Sequence, residues 1–503
     1  MFSKFSLCVY LLLLHYVVSL NLNPLTPFHQ AEKDKANKEK KKASDRKIEV
    51  NVGAKKESNE IKKKKSDVKD ALGSDKKEQQ EDSSDTKAEK SPAKQEKVVL
   101  PSLFTPVEAD NTPAVQRESH VVSHKKCQSK EDKGCCEGFI DLDPHLVHIE
   151  EGAFEGCRGL IGDLVIPDTV ITIGKNAFRN CFGLNGTLTL SNQLKTIKEA
   201  AFEGCAKMTG SIIIPDSVET IEDYAFDSCP GFDGNLNLGA QLKSIGTSAF
   251  QACHNLRGHL VVPDSVTAIG SSAFENTPGF RGTLTLSKNL VTIGDRAFFR
   301  ANGMIGDLKI PDSVHTIGDG AFERCSSFDG KLILGDGITK LGESAFRLCL
   351  KLTGELHIPS QIKELPQRVF ERCTSLTGDL HIPDHIEVIG DHAFHGCSKF
   401  NHYLHIGDNV KYVGKMAFRD CSRLVGDLVI PPSVTTIGAN AFHRCSGFNG
   451  ELKIGNGVTE IGADAFSSCS KLRGGLVIPD SVTKVGTHAF KDCPRLKRIN
   501  REF

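Results

Sequence analysis

The sequence has no excess charge of either sign, no second apolar run long enough for a membrane, and no recognisable catalytic motif. Its 63 Lys and Arg residues balance 63 Asp and Glu, for a formal net charge of zero over 503 residues. That balance excludes whole-chain attraction to nucleic acid and leaves any basic behaviour local. Beyond the first 20 residues, no stretch is apolar enough to cross a bilayer. Neither a Ser, His and Asp constellation, a phosphate loop nor a His-Glu-x-x-His motif is present. An enzyme is therefore the least favoured reading, and no cofactor and no metal are expected.

Insertions are missing too. A 24-residue unit of the form Gly-x-Leu-x-Ile-Pro-Asp-Ser-Val-x-x-Ile-Gly-x-x-Ala-Phe-x-x-Cys-x-x-Leu-x repeats fifteen times from Gly138 to Lys497, without gain or loss of a residue. A constant period implies identical turns stacked in one direction, since an insertion would push one turn out of line. This predicts a repeat solenoid, mostly β, in which the Gly-x-Leu-x-Ile segment is a short strand with one buried face. Adjacent copies then pair in parallel as one long sheet, and Ala-Phe with the Cys three residues later suggests a short helical or 3₁₀ turn. The first unit is degenerate but in register and reads as a cap carrying Phe154. After it the spine comprises Phe178, Phe202, Phe226, Phe250, Phe274, Phe298, Phe322, Phe346, Phe370, Phe394, Phe418, Phe442, Phe466 and Phe490.

Before the repeats, Met1 to Leu20 carry Lys4 ahead of an apolar core, with Val17 and Ser19 placed for cleavage after Ser19. This pattern predicts a signal peptide over 1–19, with a signal anchor as the alternative. Residues 20–126 form a Lys- and Glu-rich spacer too poor in apolar side chains to fold. The cap and degenerate first repeat occupy 127–161, the solenoid 162–497 and a short tail 498–503.

The phrases Ile214 to Cys229, Ile310 to Cys325 and Ile430 to Cys445 resemble the BspA-type leucine-rich repeat proteins, and the likeness covers nearly all of 138–497. The resemblance implies a secreted or surface protein with a role in adhesion, and it carries over no catalytic residues.

Cysteine stands three residues after the Phe in thirteen of the fifteen units, with Thr277 and Ala301 in the other two. Disulfides between neighbouring rungs are one reading. Small, buried, free and inert thiols are the favoured one, because equivalent side chains in stacked turns point in parallel and Thr or Ala can replace them. Cys127, Cys135 and Cys136 stand apart from this ladder. They can form a cap disulfide, Cys127 with Cys135 or Cys136, or remain unpaired.

Binding chemistry must come from the two outward residues of each strand. At the second of these, His357, His381 and His405 follow one another in successive units, with Glu355, Asp379 and Tyr403 at the first. These six residues are the candidate ligand patch. A straight row of three spans nearly 10 Å, too far for one zinc ion to gather all three. Near them the repeat grammar changes: Pro359 and Pro383 occur in consecutive units, Leu365-Pro366 replaces Ile-Gly and Val369 replaces Ala. Duplication of a 48-residue pair, followed by loss or gain of one unit, is the competing account of the row. Asn185-Gly186-Thr187 is the one glycosylation sequon and falls at a repeat turn. The functional expectation is a non-enzymatic binding or adhesion module for an extracellular protein or glycan. A self-associating matrix or coat component is the alternative.

Overall fold

The computed structural model describes residues 126–127, 131 and 136–498. Each turn of the solenoid carries two short strands. Leucine and isoleucine point inward from them, while the residue between or beside is exposed or half-buried, as in Leu164–Val165 and Thr172–Ile173. All described pairings are parallel, and partners lie one repeat apart along most of the array. None of the described residues is helical.

The Ala-Phe arc is a turn of another kind. Residues two before and two after the Phe adopt left-handed backbone, for example Asn176 at φ 56° and Asn180 at φ 59° around Phe178. Right-handed residues cannot then run on into a helix. The amide hydrogens alternate instead. Those of Asn176, Phe178 and Asn180 donate to Glu199, Ala201 and Glu203 in the next rung, while Arg179 and Cys181 bond within their own turn to Asn176 and Phe178. This alternation satisfies the arc's backbone and ties each rung to its neighbour.

Inside the arc the fifteen Phe rings from Phe154 to Phe490 form one unbroken stack. Successive centroids are 5.0 to 5.7 Å apart and the planes tilt by 2° to 18°. All but the terminal Phe490 are fully enclosed in a single hydrophobic core. Each buried ring contributes roughly 1.5–3 kcal/mol relative to exposure.

The expected single long sheet is not what forms. On the face of the second strands, nine run from His148–Ile149 to Lys340–Leu341 and a separate six from Glu364–Leu365 to Lys484–Val485. Pro366 supplies the reason. Elsewhere the residue after the strand donates its N–H to the preceding rung, as Gly318 does to Ile293 and Gly390 to Leu365, each bond spanning 2.8 to 2.9 Å. Proline has no such hydrogen to offer Leu341.

On the face of the first strands, pairing is restricted to two-stranded patches such as Leu164–Val165 with Leu188–Thr189, and Ile212–Ile213 with Leu236–Asn237. The ladder stops, leaving at most an isolated bridge such as Asn235 with Arg257, wherever a glycine in left-handed conformation heads the rung: Gly162, Gly210, Gly258, Gly306, Gly354, Gly378, Gly426 and Gly474. These glycines lie 48 residues apart except for the step from Gly354 to Gly378. The rung 354–377 is thus an extra half-period, and its Leu356–His357 segment has no strand partner on either side.

Two expectations about cysteine need correction. Cys136 is disulfide-bonded to Cys157, with Cα atoms 4.7 Å apart, so Cys157 leaves the set of free thiols and neither Cys127 nor Cys135 is its partner. The degenerate first turn brings the two side chains face to face across the cap, which equivalent positions in regular rungs cannot do. Cys127 lies in the short strand Lys126–Cys127, paired with Asp141–Leu142. Cys135, the signal peptide, most of the spacer and residues 499–503 fall outside the described residues. The other twelve ladder cysteines are free and buried, as expected.

Candidate functional site

The 48-residue rhythm decides which polar side chains are engaged in the scaffold. In proline-bearing rungs the Asp after the Pro accepts an N–H from the next rung, as Asp168 does from Asn192 and Asp216 from Ala240. The Ser after it donates to the preceding rung, as Ser217 Oγ does to the Leu194 carbonyl at 2.8 Å. At the first outward position, Asp163 accepts the Thr187 N–H and Asp379 accepts the Tyr403 N–H at 2.9 Å. Asp379 is therefore a scaffold group as well as an exposed one. Asn185 behaves likewise: its Oδ1 accepts the Gly162 N–H at 2.8 Å, a contact repeated by Asp233, Asn401 and Asn449 onto Gly210, Gly378 and Gly426. The sequon asparagine is exposed, but a structural duty already accounts for its presence.

The histidine row is partly assembled. His381 and His405 sit opposite each other in the paired strands Leu380–Ile382 and Leu404–Ile406, with rings stacked at 4.5 Å and 8°. Burial first, and then the neighbouring His405, hold His381 below the ordinary imidazole range. Near neutral pH His381 thus offers an uncharged aromatic face. His357 does not join the stack. It stands on the unpaired rung and turns back to Asp336, with Nε2 3.0 Å from Oδ1. Glu355 is exposed and lies across Gly378, as Tyr403 lies across Gly426. A left-handed glycine leaves the space that these side chains cover.

Of the row, His405 opens onto a groove of about 490 Å³ that Asp408, Val429, Pro431, Pro432 and Lys453 also line. Away from it, the same outward column exposes apolar side chains: Val165 at 57%, Ile213 at 58%, Val261 at 54% and Val477 at 51% of full accessibility. A second cleft of about 510 Å³ is lined by His254, Asn255, Arg257 and Arg281 on successive rungs.

A third grouping escaped the sequence reading. The residue after the spine Phe is charged or histidine in most rungs, Gln251, Phe299 and Ser467 being the exceptions, and in this column Arg347 bridges Glu323 at 2.7 Å and Glu371 at 2.8 Å. Glu371 is buried and also lies 3.3 Å from His395 Nδ1. One oxygen of Glu371 and one nitrogen each of His392 and His395 lie within 4.8 Å of one another. The signal was available: Glu371 and His395 are 24 residues apart, so they are neighbours by the period alone, and His392 is three residues before His395 in the same arc.

The BspA-type leucine-rich repeat profile, six copies long, matches this chain at residues 147–281, 243–377 and 375–497. The chain belongs to the BspA-type leucine-rich repeat family. Among solved structures, this BspA-type chain is similar to a leucine-rich repeat protein from Bacteroides ovatus: 24% identity, covering 72% of this chain and 88% of that one, with a TM-score of 0.51. It is also similar to a leucine rich cell surface protein from Faecalibacterium prausnitzii, at 24% identity over 61% and 83% of the two chains, with a TM-score of 0.34. No curated protein matches it. At this identity the likeness to the Bacteroides ovatus protein establishes the fold alone. No helix among the described residues of this family member is long and apolar enough to cross a membrane.

Proposed function

We propose that this BspA-type protein is a non-enzymatic binding module that works outside the cell and engages a protein or glycan through its first-strand face. The observation that carries this reading is the face itself. It joins exposed valine and isoleucine, the stacked pair His381 and His405, and a groove lined by both Lys453 and Asp408. Apolar side chains exposed along one flat surface are typical of an interaction site, and rings beside polar groups suit planar sugar or aromatic ligands. Repeat folds of this family are generally binding or scaffold modules, which also favours a partner over a substrate. Export rests on the signal-like pattern of residues 1–19.

The test compares the mature protein with a variant carrying His357→Ala, His381→Ala and His405→Ala on arrays of glycans and matrix proteins. Binding by the parent, and at least tenfold weaker binding by a variant with unchanged circular dichroism, supports the reading. Equal binding by both removes the histidine face from it. The exposed apolar column also favours a second reading, a coat component built by self-association. Light scattering separates the two, because mass that rises with concentration indicates assembly and a constant monomer mass indicates a receptor for other molecules.

A further inference from the structure

We propose that Glu371, His392 and His395 form a binding site for one divalent transition-metal ion of the zinc class, distinct from the exposed histidine face. Ligands bound tetrahedrally to zinc at about 2.1 Å lie roughly 3.4 Å apart. A set already within 4.8 Å closes on an ion by small side-chain adjustments.

Two hydrogen-bonding problems point to a cation here. His395 has a carboxylate at each ring nitrogen, Glu371 Oε1 3.3 Å from Nδ1 and Asp420 Oδ2 3.5 Å from Nε2. An imidazolium serves both through its two N–H groups, but the neutral ring that a metal requires carries one N–H and can serve only one of them. If that proton goes to Asp420, the Nδ1 lone pair faces a carboxylate oxygen, and an ion between them resolves the clash. Asp420 then plays the part of an outer carboxylate that orients a ligating histidine. The second problem is His392 Nδ1, which is enclosed by protein and has no hydrogen-bond partner.

The surroundings are consistent with this role. Arg347 and Arg368 hold Glu371 Oε2 at 2.8 and 3.6 Å, which fixes the carboxylate and leaves Oε1 turned to the imidazoles. Two nitrogens and one oxygen, with coordination positions left for water, suit zinc, cobalt or nickel better than calcium or magnesium. The nearby guanidinium groups weaken the hold on a cation, so a micromolar rather than a nanomolar site is expected.

Zinc chloride is titrated calorimetrically into the mature protein, and cobalt chloride is added in parallel to read the visible absorption of bound Co²⁺. The parent is compared with His392→Asn, chosen because asparagine tolerates the left-handed backbone at 392 (φ 59°), with Glu371→Gln, and with the triple His357→Ala, His381→Ala, His405→Ala variant. The proposal expects one saturable zinc per chain with a dissociation constant below about 10 µM. Binding is at least tenfold weaker in His392→Asn and in Glu371→Gln, and unchanged in the triple variant. No saturable binding below about 100 µM overturns the proposal. So does binding that survives in a folded His392→Asn protein or is lost in the triple variant.

Discussion

A stacked ring sits in each arc of the solenoid and a buried free thiol in twelve of the fifteen, and both make testable demands on the core. The Cys Sγ of one rung donates to the carbonyl of the spine Phe one rung earlier, as Cys181 does to Phe154 and Cys325 to Phe298 at 3.1 and 3.0 Å. Thr277 keeps a donor at that position but directs it to its own Phe274 carbonyl. The thiol is thus a small apolar filler with one useful hydrogen. Burial pushes Cys181 up to about 12 and Cys493 to about 11, and drives those between higher still or to similar effect. Unfolded thiols ionise near 8.5, so the unfolded chain binds fewer protons above that pH. The contribution of the cysteines to stability is therefore intact below about pH 8.5 and is lost as pH rises toward the folded values, at about 1.4 kcal/mol per pH unit for each thiol. The expected result is a steep fall in melting temperature between pH 8 and 10. At pH 8 the twelve ladder thiols should also resist Ellman's reagent until denaturant is added. Replacing a ring in the middle of the stack, Phe322→Ala, should cost about 3–5 kcal/mol in chemical unfolding, because neighbouring rungs cannot close the gap.

At the scale of the arc and the sheet, backbone conformation matters more than side-chain chemistry. Many non-glycine residues hold left-handed backbone, among them Ala252 at φ 57°. Such a residue costs about 1–2 kcal/mol, against about 0.5–1 kcal/mol lost in chain entropy when glycine replaces it. Ala252→Gly should accordingly raise stability by about 0.5–1 kcal/mol, measured by urea unfolding. The break between Leu341 and Leu365 makes a different demand. Both faces lose their ladder there, the second beside Pro366 and the first around Leu356–His357. Amide exchange should be fastest, within the array, at residues 354–366, and limited proteolysis should cut there first. Uniform protection across the break would contradict this picture.

Taken as a whole molecule, the array is one hydrophobic core with an interrupted hydrogen-bonded shell. The Phe stack passes through the break without a gap, the pair Phe346 and Phe370 lying 5.7 Å apart. Packing therefore couples the two blocks of rungs while the sheets do not. In a linear array stability is close to a sum of nearest-neighbour terms, so the weakest interface sets where cooperativity fails. Calorimetry should show two overlapping transitions. Phe322→Ala should lower the one assigned to residues before 353 more than the other, a difference that domain-resolved exchange can check.

The period, the spine and the small buried position after it were legible in the residues, because each depends only on a spacing of 24 and on which side chains are apolar. So was the irregularity near Pro359 to Pro366, although it read as a copying event rather than as a break in both sheets. Three features awaited the folded chain. The partner of Cys136 is Cys157 because the cap turn deviates from the regular rung, and no repeat rule describes a deviation. The absence of a helix from the described arcs follows from left-handed residues such as Tyr224 and Arg324, whose types do not announce that backbone. The division of the histidines came last. His381 pairs with His405, His357 turns to Asp336, and His392 and His395 meet Glu371, because the direction of a side chain in a stacked turn depends on the phase of its rung. Sequence determined what repeats, since burial and spacing are local; tertiary structure decided what meets what, since contact between rungs is set by strand pairing and backbone handedness.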